Sequence, residues 1–466
     1  MIDNFKKLIK GTATYAIGDF GTRILSFLII PLYTYYISTE EMGIYDLLIS
    51  TSGLLIPLIT LQVSDASYRW IISKKNEASE CITATYKVLL STSILFILIA
   101  IAFNNVVDIP YVELFVLLVI ASSWYTTILK IVRALENQKL YAIIGVIYTS
   151  IYLSLNVLQI VAFKKKVDSL LISSVIGYFI CIFFVIYKEP QLRKFSAAVR
   201  PDLIRQFVVF SLPLIPNYLN WWVINSSDSY IVTLALGTSA NGLLSVSHKF
   251  PSVLQVFLSL FNTSWQDLSI SKHAKEGTFN TKTFEILSKM ILASVCVLVP
   301  ATKIFISIIM SEQYQMSSEF VPLYYLGAAY QGFSAFYGVG YLKKGKTRQA
   351  LLTSVYASTI NIIIDLIAIR YIGLHAAALS TFVGFLVMWL VRERQNREEL
   401  GIIVNWTMIV TLTLTDCLIA YISIATGIVE NIFLLLLSTV LFVIVCRKNF
   451  CAILKMITER RLNTRS

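Results

Sequence analysis

Long apolar runs separated by short polar segments follow one another along almost the whole chain. Each run approaches the roughly 20 residues that a helix needs to cross a bilayer. The predicted spans cover residues 12–37, 42–64, 83–107, 110–131, 140–163, 168–187, 207–236, 241–263, 284–308, 318–341, 349–370, 372–391, 402–425 and 429–446. The pattern therefore predicts an all-α polytopic membrane protein with about 14 transmembrane helices.

Composition supports a membrane protein and excludes two other classes. Of the 466 residues, 56% are hydrophobic and 14% are charged, whereas a soluble domain carries about 25% charged residues. Disorder requires low hydrophobicity and high charge, so a disordered chain is excluded as well. The six cysteines form no CxxC pair and mostly lie inside apolar runs, which predicts buried free thiols.

The net charge of +12 raises the question of nucleic-acid binding, which the positions of the cations answer. Most of the 39 Lys and Arg residues fall in alternate loops and in the two termini. This bias predicts that both termini are cytoplasmic and argues against a nucleic-acid partner. The intervening loops carry only Lys164, Lys165, Lys166 and Arg370, and the three lysines are interpreted as a solvated, snorkelling turn.

The first twelve spans form two similar sets of six. For example, the segment that begins at Ser173 (SSVIGYF) matches the segment that begins at Ser380 (STFVGFL), and other matched segments keep a spacing of about 200 residues. An even number of spans per repeat gives parallel repeats, an arrangement of transporters. We therefore predict six-helix bundles at residues 1–200 and 201–400 around a central cavity. Residues 401–466 would add two further helices and a basic cytoplasmic tail.

Ionisable residues inside the predicted spans mark candidate functional positions, because each costs about 2.5–3.5 kcal/mol at mid-membrane. They concentrate in spans 1, 2, 7 and 8, the corresponding helices of the two repeats. Two cations that face a wet cavity, Arg23 and Lys249, would suit a phosphate or pyrophosphate. The alternative is that Asp19 and Arg23 form an ion pair that fixes helix packing while Lys249 snorkels.

The other candidates also have a structural alternative. The carboxylates are candidates for carrying a coupling proton, His248 for a cavity or a packing contact, and the tryptophans for sugar stacking or for an interfacial aromatic belt. The complete predicted substrate-binding set is Arg23, Lys249, Asp19, Asp46, Asp228, His248, Trp221 and Trp222.

Several kinds of chemistry have no motif in the sequence. It contains no P-loop and no HExxH, and only three histidines, so we expect neither a built-in ATPase nor a metal site. Every loop is short, which leaves no extramembrane domain for a catalytic site. We therefore predict a protein that is not an enzyme and has no cofactor. Coupling to a proton or a sodium gradient remains open.

Two segments resemble a known family. Residues 31–46 (PLYTYYISTEEMGIYD) are similar to the first inter-helix region of bacterial polysaccharide flippases. Residues 210–217 (FSLPLIPN), with Asp228 downstream, are similar to the start of their second repeat. The chain thus resembles a Wzx-type flippase of the multidrug/oligosaccharidyl-lipid/polysaccharide (MOP) exporter superfamily.

The resemblance implies a specific function. Undecaprenyl-pyrophosphate-linked O-antigen or capsule repeat units would move from the cytoplasmic to the periplasmic leaflet of the inner membrane. Alternating access through a cationic cavity would move them. The partners would be this lipid-linked oligosaccharide, membrane lipids and other polysaccharide assembly proteins. Two alternatives remain. A multidrug exporter of the same superfamily should have an acidic and aromatic cavity. A membrane glycan polymerase or ligase should have a long outer loop.

Overall fold

A computed structural model describes residues 27–73, 77–105, 110–164, 166–196, 199–270 and 277–463. Over these residues the fold is entirely helical, with sixteen α-helices and no strand. The all-α prediction is therefore confirmed. Most of the first predicted span, residues 12–26, lies outside the described residues.

The helices follow the predicted spans closely. In chain order they are α1 (Ile30–Tyr36), α2 (Thr39–Ile59), α3 (Val63–Ser73), α4 (Ala78–Asn104), α5 (Val112–Ala134), α6 (Gln138–Phe163), α7 (Val167–Lys188), α8 (Pro201–Ser211), α9 (Ile215–Leu236), α10 (Thr238–Ile270), α11 (Gly277–Ile309), α12 (Val321–Lys344), α13 (Thr347–Ile372), α14 (His375–Leu400), α15 (Trp406–Ala425) and α16 (Ile428–Asn463). In the described part of the chain, twelve helical segments are long and apolar enough to cross a membrane. The chain is therefore a multi-pass membrane protein. Helix α12 coincides with the predicted span at 318–341 but is rich in Tyr and Gly, and it is not among the twelve.

The chain packs into two compact units, unit 1 (Met1–Tyr230) and unit 2 (Ile231–Ser466), whose boundary falls within α9. In unit 1, buried residues of α3, α4, α5 and α7 form the main apolar core. In unit 2, aromatic side chains of α11 and α12 pack around Trp389 of α14, which is fully buried. The division at residues 200 and 400 stays a prediction.

A capping box fixes the start of α2. The Ser38 hydroxyl accepts a hydrogen bond from the backbone N–H of Glu41, and the Glu41 carboxylate accepts one from the backbone N–H of Ser38. This arrangement satisfies backbone donors that a helix start leaves unpaired. The same carboxylate lies 2.9 Å from the ammonium of Lys166, and this contact raises the pKa of Lys166. The Lys166 side chain is 60% exposed, as expected for a solvated turn. Its ion pair with Glu41 links the turn before α7 to the start of α2.

Equivalent hydrogen bonds occur inside the two units. In unit 1, the Gln159 side-chain amide of α6 donates to the Ser173 hydroxyl of α7 over 3.1 Å. In unit 2, the Asn361 amide of α13 donates to the Ser380 hydroxyl of α14 over 3.0 Å. Each bond joins consecutive helices, and the two serines are the ones that the sequence match pairs. This correspondence supports the internal duplication.

A buried arginine links three helices of unit 2. Arg392 of α14 is 6% exposed. Its guanidinium donates to the Thr353 hydroxyl at 2.9 Å and to the Ser334 carbonyl at 3.1 Å. Burial of the charge is costly unless such bonds replace water. The sequence pattern counts Arg392 among the cations that set orientation, whereas the structure shows that it also holds α12, α13 and α14 together.

We expect Gly340→Ala to lower the thermal stability of the protein. A Cβ at Gly340 would lie 2.6–2.8 Å from the Oδ1, Cγ and Cβ atoms of Asn396, and a clash that includes the Cβ cannot be relieved by rotating the side chain. Overpacking of this kind costs about 1–3 kcal/mol, against a gain of up to about 1 kcal/mol when Ala replaces Gly in a helix.

Gly53→Ala is the matched control, because its Cβ would make an ordinary 3.5 Å contact with Trp222. Thermal unfolding of both variants in detergent tests the expectation. Equal midpoints would show that α12 and α14 do not need this close approach.

Candidate functional site

Helix α2 and the part of α9 that belongs to unit 1 share polar contacts that include two of the predicted site residues, and a third lies beside them. The Asp46 carboxylate of α2 accepts a hydrogen bond from the Ser229 hydroxyl of α9 over 2.8 Å. The Trp222 indole N–H donates to the Ser50 carbonyl over 2.7 Å. Asp228, adjacent to Ser229, is only 2% exposed. The sequence thus predicted residues that lie close together, although their contact with a substrate stays a prediction.

Trp222 is held on a second side as well. The Tyr230 ring packs edge-on against it, with centroids 5.5 Å apart, and the Tyr230 hydroxyl hydrogen-bonds to Thr51. Trp221 is partly buried, and its carbonyl accepts from Asn225. Because the indole N–H of Trp222 is engaged with α2, helix packing accounts for much of its position, and Trp221 is the better candidate for sugar stacking.

The other two described candidates lie on α10 of unit 2. The His248 ring packs edge-on against Tyr324, with centroids 4.2 Å apart. Lys249 is exposed, and its ammonium forms no ion pair with any residue that the structure describes. The remaining two candidates, Asp19 and Arg23, lie outside the described residues.

Lys249 begins a polar face that extends along about half of α10. Residues three, four or seven positions apart share a helix face, and four polar residues continue the face of Lys249: Ser252, Ser259, Thr263 and Gln266. Buried Val256 lies between Ser252 and Ser259 on this face. Ser252 is partly exposed and the other three are exposed. At 1.5 Å per residue this face is about 26 Å long, close to the thickness of the hydrocarbon core.

The opposite face of α10 lines an apolar cavity of about 640 Å³ within unit 2. Phe250, Leu254, Phe257 and Phe261 contribute from α10, and residues of α11, α12 and α16 complete the lining. The aromatic and aliphatic lining suits a hydrocarbon ligand. We call this cavity the α10 groove.

One helix therefore presents two chemically opposite surfaces, a polar face with a lysine and an apolar groove. Exposing a polar face of this length to lipid costs free energy. We therefore expect this face to contact water, protein or a polar ligand. An amphiphile with a charged, hydrated part and a long hydrocarbon part has the matching division. In the described part of the chain no three His, Cys, Asp or Glu side chains cluster as a metal site.

We expect cysteines on the polar face of α10 to react with a charged, water-soluble maleimide when the six native cysteines are replaced. Ser259→Cys and Thr263→Cys should be labelled in intact membranes, because their side chains are exposed on the polar face. Leu234→Cys is the matched control, since it is 87% exposed but lies on an apolar helix surface. Labelling of Leu234→Cys at the rate of Ser259→Cys would contradict a wet polar face.

Comparisons with known proteins agree with this architecture. Residues 8–265 match the family model described as polysaccharide biosynthesis protein. A sequence search of curated proteins finds no match. Among solved structures, the lipid II flippase MurJ in an inward closed conformation is similar, with a TM-score of 0.74 and 14% identity over 94% of this chain and 99% of that chain.

Two further structures share the fold at lower similarity. An outward-facing multidrug resistance MATE family transporter of the MOP superfamily has a TM-score of 0.60 and 12% identity, over 84% of this chain and 96% of that chain. A MOP superfamily transporter from Pyrococcus furiosus has a TM-score of 0.56 and 11% identity, over the same shares. The family match covers more than half of the chain and the fold is that of these transporters, so the chain belongs to the polysaccharide biosynthesis protein family of the MOP superfamily.

Proposed function

We propose that the protein is a flippase for undecaprenyl-pyrophosphate-linked oligosaccharide repeat units of a surface polysaccharide. The observation that carries this proposal is the two-faced helix α10. Substrate would move by alternating access from the cytoplasmic to the periplasmic leaflet of a bacterial inner membrane. Both termini would be cytoplasmic, as the Lys and Arg distribution predicts.

The α10 groove supports a lipid-linked substrate. Four helices of unit 2 surround it, and its lining is dominated by Phe, Leu, Ile and Val side chains. Hydrocarbon buried there loses no hydrogen bond, and a polyprenyl chain is the hydrocarbon part of the substrate proposed here. We propose that a segment of this polyprenyl chain occupies the α10 groove, because the protein belongs to a family of polysaccharide biosynthesis proteins.

The polar face of α10 supports the other end of the same molecule. Lys249 supplies a positive charge for a pyrophosphate, and the Ser, Thr and Gln side chains that follow supply donors and acceptors for sugar hydroxyls. A hydrated oligosaccharide needs such a face across the whole bilayer, and the polar residues of α10 continue to Gln266. A flippase requires no covalent chemistry, consistent with a family of transporters.

A multidrug exporter of the same superfamily is the alternative. A solved multidrug transporter shares the fold at 12% identity, a level that carries no substrate information. The positive charge of Lys249 on the polar face does not fit the acidic and aromatic cavity that is expected of a multidrug exporter. A drug-efflux assay in cells that express the chain distinguishes the two functions.

We expect Ser294→Trp to stop export of the polysaccharide. Ser294 lines the α10 groove, and an indole at this position would occupy the volume proposed for the polyprenyl chain. Leu414→Trp is the matched control, because Leu414 is exposed and does not line the groove. Surface glycan in a strain that lacks its own flippase is the measurement, normalised to the amount of membrane protein.

In the same assay, Lys249→Gln should lower export about tenfold and Lys249→Arg should retain most of it, as expected for loss of one charge-assisted contact of about 1.5 kcal/mol.

Wild-type glycan in Ser294→Trp cells would rule out the groove as the path of the lipid chain. Single repeat units that accumulate in the outer leaflet would instead indicate a polymerase.

We also propose that transport is coupled to a proton or sodium gradient through a buried carboxylate. Asp228 in unit 1 and Asp365 in unit 2 are buried in helices α9 and α13. A charged carboxylate at such depth is costly unless it is paired or hydrogen-bonded, and it can also be stabilised by binding a proton or a cation. In α13, Asn361 lies one turn before Asp365 on the same helix face and donates to Ser380 of α14.

Asp365→Asn should therefore abolish the dependence of export on the ion gradient, because the amide keeps the size of the carboxyl and cannot bind a proton or balance a cation. Export into vesicles with an imposed proton or sodium gradient is the measurement. Asp168→Asn, at the start of α7 where no hydrocarbon burial is required, is the control. If both Asp365→Asn and Asp228→Asn keep the full dependence of export on the gradient, neither carboxylate is the coupling group.

A further inference from the structure

The carboxyl group of Asp416 is buried inside unit 2, near the middle of helix α15. Asp416 is 1% exposed, and α15 is one of the helices that are long and apolar enough to cross a membrane. An ionised carboxyl group at this depth is costly unless hydrogen bonds or a cation compensate its charge, and a bound proton removes the charge altogether. The contacts of Asp416 distinguish these three cases.

Only one of the two carboxyl oxygens has a hydrogen bond in the described part of the chain. The Cys296 thiol of α11 donates to Oδ1 of Asp416 over 2.8 Å. Oδ2 is buried and has no hydrogen-bond partner among the described residues. An ionised carboxylate spreads its charge over both oxygens and has about four acceptor sites, whereas a thiol is a weak donor. One thiol therefore leaves a buried negative charge largely uncompensated.

No cation compensates the charge within the described residues. None of their ion pairs includes Asp416. The titratable groups close enough to interact with its carboxyl electrostatically are Cys296 of α11, Tyr330 of α12 and Cys417 of α15. None of these three side chains can carry a positive charge.

The helices that pack against α15 are α11, α12 and α16, and their charged residues lie away from this contact. On α11, Lys289 and Lys303 are each two turns from Cys296, and both ammonium groups contact other side chains. The charged residues of α12 are two lysines in its last turn. Between Glu430 and Cys446, α16 carries no titratable residue.

We propose that Asp416 is a proton-binding site, which holds a proton on Oδ2 while α15 is packed against α11 and releases it when the two helices separate. A bound proton makes the buried group neutral and leaves Oδ1 as the acceptor for the Cys296 thiol. On release the O–H bond breaks, its electron pair stays on Oδ2 and the proton passes to water. Separation of the helices admits the water that an ionised carboxylate requires. The site involves neither Asp228 nor Asp365, and it goes beyond the proposed function because it does not depend on the substrate.

The proton site and the α10 groove share helix α11. Ser294 lines the groove, and Cys296 follows it by two residues, which is about 200° around the helix axis. The thiol and the groove lining therefore lie on opposite faces of α11. A movement of α11 against α15 would displace one wall of the groove together with the thiol that contacts Asp416.

Infrared spectroscopy of the full chain in nanodiscs tests for the proton directly. A protonated carboxyl group has a carbonyl stretching band that is well separated from the bands of a carboxylate. At neutral pH the wild type should show such a band, which shifts in heavy water, and Asp416→Asn should lose it. Cys296→Ala should shift the band, because Oδ1 loses its donor. Asp202→Asn is the matched control, since Asp202 is exposed on α8, and it should give the wild-type spectrum.

A wild-type carbonyl band in Asp416→Asn would show that Asp416 is ionised, and the proton site would be wrong. If Asp416→Asn does not fold, the band shift in Cys296→Ala identifies the same carboxyl group, and an unshifted band would overturn the proposal equally. Neither readout requires transport, so a failed export assay and a failed proton site are separate results.

Labelling of Cys296 tests the release of the proton. In a chain that keeps Cys296 as its only cysteine, a membrane-permeant maleimide should react slowly at neutral pH, because the residue is fully buried. As the pH rises, ionisation of Asp416 should favour separation of the helices and accelerate labelling. The acceleration should be several-fold smaller when Asp416→Asn is added, since the amide has no proton to release. Equal acceleration in both chains would overturn the link between the proton and helix separation.

Discussion

A polar side chain that enters the hydrocarbon core needs either a hydrogen-bonding partner inside the protein or a surface that lipid does not cover. The described helices satisfy this constraint in both ways. Gln159 with Ser173, and Asn361 with Ser380, are paired across consecutive helices. The polar residues of α10 remain exposed along one face. The paired residues therefore help to hold each unit together, and the exposed face of α10 in unit 2 is a surface that lipid alone would not satisfy.

The boundaries of the membrane helices follow from the sequence because the bilayer imposes their length and composition. Apolar runs predicted α4 to α7 within a few residues, and the Ser38–Glu41 capping box accounts for the start of α2. The two matched serines were found by the internal repeat, and the structure gives them the same kind of partner. These features depend on local sequence, which a single chain reveals directly.

Other features depend on which helices meet, and local sequence does not contain that information. Arg392 lies in a charged segment and reads as one more cytoplasmic cation until α12 and α13 are placed against it. The α10 groove is similar: Phe250, Leu254, Phe257 and Phe261 recur at helical spacing, but only α11 and α16 turn that apolar stripe into a cavity. The sequence predicted Asp46 and Trp222 as separate candidates. The structure adds that each side chain forms a hydrogen bond with the helix that carries the other.

The opposed faces of α10 limit the movements that this helix can make. Rotation about its long axis by half a turn would bring Lys249 into the place of the groove and the phenylalanines into the place of the polar face, at a cost of several kcal/mol. Pro251 lies inside the helix, and a proline interrupts the backbone hydrogen bonding of the preceding turn. A transport cycle that carries the proposed lipid-linked substrate would therefore have to tilt α10 or bend it near Pro251 without rotating it about its long axis. The hydrocarbon and the sugars of that substrate would then travel on separate sides of a single helix.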